Sequence, residues 1–172
     1  MNRTILKPTE YNQYYATYLS MVADDIALVE GHIQNKNNLL HFFKSIPKEK
    51  HNYAYAEGKW TIKEVLQHII DTERVFMYRC LCIARQDKTA FPGFDQDAYI
   101  SPSEANLKTM DALLEELEAT KNNSIALIKS ISESNFANIG TASGGNLSAR
   151  AAAFIILGHD LWHTKVLKER YL

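Results

Sequence analysis

The sequence predicts an all-α protein, a four-helix bundle. Three observations point there: apolar residues recur at three- and four-residue steps through four long segments, proline- and glycine-bearing breaks separate those segments, and nothing shows the alternation of a half-buried strand. One domain spanning residues 1–172 is expected, which is enough chain to bury a sizeable core.

The elements follow in order. Residues 1–19 are tyrosine-rich (Tyr11, Tyr14, Tyr15, Tyr18) and predict a short helix after Pro8, with the tyrosines packing on the bundle rather than forming a binding platform. Val22, Ile26, Val29, Ile33, Leu40 and Phe43 make one face of the first long helix, which ends before Pro47. Tyr53 to Lys59 reads as an irregular connection. Thr61-Ile62-Lys63-Glu64 is a capping box, in which the threonine hydroxyl and the glutamate each satisfy a free amide at a helix start. The helix it opens runs to about Arg85 and is apolar around most of its circumference, so it should be buried. Gln86 to Ile100 reads as a loop around Phe91-Pro92-Gly93-Phe94-Asp95. Ser101-Pro102-Ser103-Glu104 reads as a second capping box opening the third helix, whose seam is Leu107, Met110, Leu114, Leu117, Ile128 and Ile131. A loop from Ser132 to Asn146 leads to the fourth helix, which starts near Leu147 or Ser148 and continues almost to the C-terminus.

Composition narrows the function classes. The formal net charge is -1 with scattered lysines and arginines, which argues against a nucleic-acid surface. No apolar run follows the first basic residues and no stretch approaches a membrane span, so a cytoplasmic protein is expected. Cys80 and Cys82 point to different sides of a helix and read as reduced thiols. No phosphate-cradling glycine loop is present.

The chemistry concentrates on the last helix. His159 and His163 are four residues apart and lie about 40° apart around the axis, on the inward stripe with Ala152, Ile155 or Ile156, and Val166. Two imidazoles in a bundle interior have few free backbone partners, and a metal ion satisfies both. Among the other histidines (His32, His41, His51, His68), His68 alone sits deep in a strongly apolar helical pattern. The expected metal ligands are therefore His68, His159 and His163; the competing arrangement has His159 stacked at the bundle end and His163 bonded to a carboxylate. Asp71 or Asp160 is expected to hold a ligand histidine by its second N–H, and Asp71 is alternatively the candidate catalytic base. Arg170, on the same side of the helix, could hold an anionic substrate, although a solvated helix end is its default. Zinc or nickel suits imidazole ligands, which do not choose between them or exclude iron or manganese. Three neutral ligands leave the ion's charge largely uncompensated, so it would acidify a bound thiol or water.

Three motifs resemble the DinB/YfiT-like superfamily: Trp60-Thr61-Ile62-Lys63-Glu64 leading to His68, Asp71 and Glu73; Pro92-Gly93-Phe94-Asp95-Gln96-Asp97; and His159-Asp160-Leu161-Trp162-His163. They occur in the family's order and span nearly the whole chain. The resemblance implies a bundle with an up-up-down-down-like arrangement, usually a homodimer, binding a divalent metal through His68, His159 and His163. It further implies a metal-dependent enzyme acting on a small molecule. Most directly this is a thiol-dependent S-transferase in detoxification or stress response, using bacillithiol, mycothiol or glutathione as co-substrate. A metal-dependent hydrolase with a metal-activated water, and a non-catalytic metal-binding bundle, are the alternatives.

Overall fold

The computed structural model describes residues 1–172. Four long helices dominate: α2 (Leu28–Lys44), α3 (Ile62–Ala84), α5 (Met110–Ser130) and α7 (Ala149–Arg170). Shorter helices are α1 (Ala16–Leu19), α4 (Gln96–Ser103) and α6 (Glu133–Phe136), and three short strands are β1 (Ala90–Phe91), β2 (Ile139–Ala142) and β3 (Gly145–Ser148). No helix is long and apolar enough to cross a membrane.

The helix starts are built by their caps. The capping box at Thr61 forms in full: its amide donates to Glu64 Oε2 at 2.7 Å and its hydroxyl accepts from the Glu64 amide at 3.2 Å. Ser148 caps α7 through the Ala151 amide at 3.0 Å. The expected box at Ser101 does not open a helix. Asp95 caps α4 upstream, accepting from the amides of Asp97 and Ala98, so residues 101–103 form that helix's end. Glu104 then takes a left-handed φ of 51°, and α5 begins only after Thr109, which caps the Ala112 amide at 3.1 Å. Leu107, expected on the seam, lies in this connection and is 81% exposed. The first long helix also starts later than its pattern suggested: Val22 is buried before it, and Ala27 bridges to Asn2.

The structure has a small sheet, ordered β1-β2-β3, that the alternation test missed. β2 and β3 pair antiparallel through a two-residue turn in which Ser143 (φ 51°) and Gly144 (φ 76°) are both left-handed, the backbone twist favoured in tight hairpins. β1 adds only two residues, parallel to β2. Strands this short have no periodicity to read.

Side-chain hydrogen bonds between elements give the bundle direction. His32 meets Ala153 and Asn35 meets Asp160, so α2 and α7 run parallel. Trp60 meets Tyr171 and His68 meets His159, so α3 opposes α7. Lys63 meets Asn106 and Gln67 meets Glu116, so α5 runs with α3. In chain order the four are up, down, down, up, which differs from the expected up-up-down-down arrangement. Parallel α3 and α5 require a crossover along the bundle's full length, and residues 85–109, including β1 and α4, provide it. Two apolar clusters fill the interior, one around Phe76, Phe154 and Ile156, the other around Leu39, Phe43, Leu66 and Leu117.

Candidate metal centre

His68 lies one turn beyond the capping box on α3, and His159 and His163 face it from α7; their exposures are 3%, 4% and 7%. Their ring nitrogens converge. Nε2 of His159 is 3.0 Å from Nε2 of His68 and 3.1 Å from Nε2 of His163, and one ligating nitrogen from each lies within 4.8 Å of the others. A neutral imidazole nitrogen either carries a proton or offers a lone pair. Shared protons cannot serve three nitrogens aimed at one point as evenly as one cation can.

Burial holds all three rings neutral. It pushes the pKa of His68 down to about 4. Burial first, then the neighbouring His163, His68 and Lys121, keep His159 well below the ordinary histidine range; burial and His68 do the same for His163. Neutral imidazole is the ligating form. The residues present thus fit a metal site, and the buried three-histidine cluster suggests a divalent ion.

Aromatic rings wall the cluster. Trp60 lies 4.7 Å from the His68 ring, Trp162 4.7 Å from His163, and Tyr18 5.3 Å from His159. Tyr18 reaches that position because α7 carries Gly158. A Cβ there would stand 2.0 Å from the Tyr18 carbonyl oxygen, so only glycine lets α1 approach so closely. Two cavities flank the centre. One, about 460 Å³, is lined by His159, Thr72, Tyr15 and Phe94 among others. The other, about 410 Å³, is lined by His163, Trp60 and Trp162. Tyr14, Tyr18 and Gln96 border both. Tyr14, Tyr15 and Tyr18, expected only to pack, therefore line the approaches to the histidines.

The supporting carboxylates stand elsewhere than expected. Asp71, the candidate base, accepts from Gln67 Nε2 at 3.0 Å and Arg74 Nη1 at 3.4 Å, in a network that includes Glu116 of α5; it makes no hydrogen bond to the histidines. Thr72 Oγ1, not an aspartate, is the group 3.4 Å from His68 Nδ1. Asp160 is fully buried, but its carboxylate is held by Asn35 Nδ2 at 2.6 Å and by Lys121, which also pairs with Glu73. His159 Nδ1 is left with no partner. Arg170 donates to the Tyr55 hydroxyl at 3.2 Å. His32, whose helix has no strongly apolar pattern around it, is nevertheless fully buried with Nε2 3.1 Å from the Ala153 carbonyl oxygen.

The DinB superfamily sequence model matches residues 33–167. The chain belongs to the DinB superfamily. The matched span contains all three histidines, while Tyr14, Tyr15 and Tyr18 lie outside it. Among solved structures, this DinB-superfamily chain is similar to YfiT from Bacillus subtilis, described as a probable metal-dependent hydrolase with an unusual four-helix bundle topology. That likeness has a TM-score of 0.68 at 14% identity, covering 96% of this chain and 91% of YfiT. It is also similar to a mycothiol-dependent maleylpyruvate isomerase, with a TM-score of 0.64 at 12% identity, covering 94% of this chain and 60% of the isomerase. At these identities the likenesses establish the fold. No curated protein matches the chain by sequence.

Proposed function

We propose that this chain is a divalent-metal-dependent enzyme that transfers a low-molecular-weight thiol onto an electrophilic small molecule. The convergence of His68, His159 and His163 carries the reading. A divalent ion held by their Nε2 atoms, zinc or nickel by ligand type, would supply Lewis acidity and lower the pKa of a thiol or water that reaches it.

The chain's own residues do the rest. The three histidines present neutral lone pairs and bring no carboxylate, so the charge that acidifies a thiol is not quenched by the protein. Trp60, Trp162 and Tyr18 pack against the rings and keep bulk water from the buried side. The two cavities flanking one centre suit a reaction with two organic substrates, one approaching past His159 and the other past His163. The description of the isomerase neighbour as mycothiol-dependent supports a thiol. Hydrolysis is the second reading, favoured by the likeness to YfiT across nearly both chains.

The test begins with metal analysis of untagged protein purified without added metal, beside His68→Ala and the double variant His159→Ala/His163→Ala. About one ion per chain, lost in both variants, is expected. Full occupancy in His68→Ala would sink the three-histidine centre. Conjugation of several thiols, glutathione among them, to an aryl halide then separates transfer from ester hydrolysis: activity only on esters, independent of thiol, favours the second reading.

A further inference from the structure

Arg79 is 3% exposed, and no carboxylate lies within ion-pair distance of it. Its Nη2 donates to the Pro92 carbonyl oxygen at 2.6 Å and to Ser143 Oγ at 3.4 Å, while Nη1, equally buried, has no partner at all. A guanidinium keeps its charge at neutral pH, and burying a charge without an opposite one is costly even after relaxation. A fold that keeps such a cation next to a cavity has left room for an anion from outside.

The cavity beside it is the one that opens on His159. Phe76, Phe94 and Ser143 line that cavity, and all three touch the guanidinium: the ring centroids of Phe76 and Phe94 lie 5.1 and 5.8 Å from Arg79 Cζ. The two rings pack beside the fork, and the Pro92 carbonyl oxygen holds its Nη2 arm. The single acid on the cavity wall, Asp95, is exposed and its Oδ1 is occupied in capping α4.

Thr72, at the histidine end, and Arg79 are seven residues apart on α3, which is about 10 Å along the axis and about 20° around it. They therefore share one face of α3, with Phe76 between them.

We propose that Arg79 makes the end of this cavity remote from the histidines an anion subsite, so that the substrate is a small acid whose carboxylate, or similar oxyanion, is separated from the reacting atom by an apolar body. This deepens the enzymatic reading above and rests on the histidine centre being the reactive end. Guanidinium is the side chain best matched to a planar oxyanion, through two parallel N–H donors. The entering oxyanion takes the place of Ser143 Oγ, whose contact is the longer of the two Arg79 makes, and reaches the idle Nη1.

The experiment is calorimetric titration of the full chain, as purified and again after chelation, with 4-phenylbutyrate, its neutral amide and 3-phenylpropylphosphonate. The acid should bind at least ~10-fold more tightly than the amide, because only the acid forms a charge-assisted pair with the guanidinium. Arg79→Met should erase that preference while melting no lower than the wild type, since it removes a stranded charge. Arg79→Lys, which keeps the charge but loses the fork, should retain part of it. Whichever of carboxylate and phosphonate binds more tightly identifies the oxyanion. Equal binding of acid and amide to the wild type, no saturable binding of either oxyanion, or an unchanged preference in Arg79→Met would each overturn the proposal. The wild-type comparison stands whether or not a variant folds. Because the chelated protein is titrated too, failure of the metal centre and failure of the anion subsite give different results.

Discussion

Lys121→Met tests the energetics at the heart of the bundle. Lys121 of α5 is fully buried between Glu73 of α3 and Asp160 of α7, both also fully buried, and Asn35 of α2 completes the cluster by bonding Asp160. Every long helix contributes a polar side chain. Methionine keeps most of the lysine's volume and removes its charge, leaving two carboxylates in the interior with no cation. Removing one partner of a buried pair costs about 3–5 kcal/mol, because the other is stranded. A domain of this kind is stable by roughly 5–15 kcal/mol, so the variant should fold with a measurable deficit. Urea unfolding at pH 7.5, 6.5 and 5.5, followed by tryptophan fluorescence, reads that deficit directly. It should shrink as pH falls, by about 1.4 kcal/mol per pH unit for each proton the stranded carboxylates take up beyond those the wild type binds. Packing loss alone has no such pH dependence. A deficit under ~1 kcal/mol, or one equal at all three pH values, would refute the assignment of Lys121 as the cluster's charge balance.

Metal-stripped protein should lose stability in acid. Burial lowers His32 and His68 to about 4, so between pH 6.5 and 4 the unfolded chain binds the extra protons; stability is full above 6.5 and lost as pH falls. Burial raises Asp160 above the usual carboxylate range, which offsets one proton and leaves about 1.4 kcal/mol per pH unit from these three groups, and His159 and His163, also held low, steepen it; a flat melting temperature from pH 7 to 5 would contradict this. Gly158→Ala should cost about 1–3 kcal/mol through overpacking against the Tyr18 carbonyl, and should shift the near-ultraviolet signal of Tyr18 and Trp162, whose rings are 5.7 Å apart; wild-type stability there would mean that α1 does not dock as described. Asp71→Asn should change stability by less than ~1 kcal/mol, since its arginine partner is half-exposed, and should leave metal stoichiometry unchanged; loss of metal would place Asp71 at the histidines after all.

What the sequence disclosed about the centre was whatever one helix encodes locally. The four-residue step from His159 to His163, the capping box ahead of His68, and the apolar setting of both are properties of single helices, and all are observed in the structure. The tyrosine wall was hidden because it depends on α1 folding back onto Gly158, a contact between segments about 140 residues apart in the chain. The Lys121 cluster leaves a trace in the sequence. The α5 seam from Leu114 and Leu117 to Ile128 has Lys121 and Ser124 at the intervening positions, and both are buried. A polar residue on the inward stripe of a helix is visible in a sequence; its partners are not, because they depend on the level at which four helices cross.

That level ties the two sites together. Glu73 follows Thr72, which contacts His68, and Asp160 follows His159, so the bonds Lys121 makes to Glu73 and Asp160 set the axial register of α3 against α7. The same register brings His68 opposite His159 and His163. Lys121 itself donates no hydrogen bond to the three histidines. If its pairings hold that register, Lys121→Met should lower metal retention against a competing chelator even under conditions where the variant is fully folded. Retention equal to the wild type would confine Lys121 to stability, and would leave the packing of Leu66, Ile69 and Ile70 as what aligns the two helices.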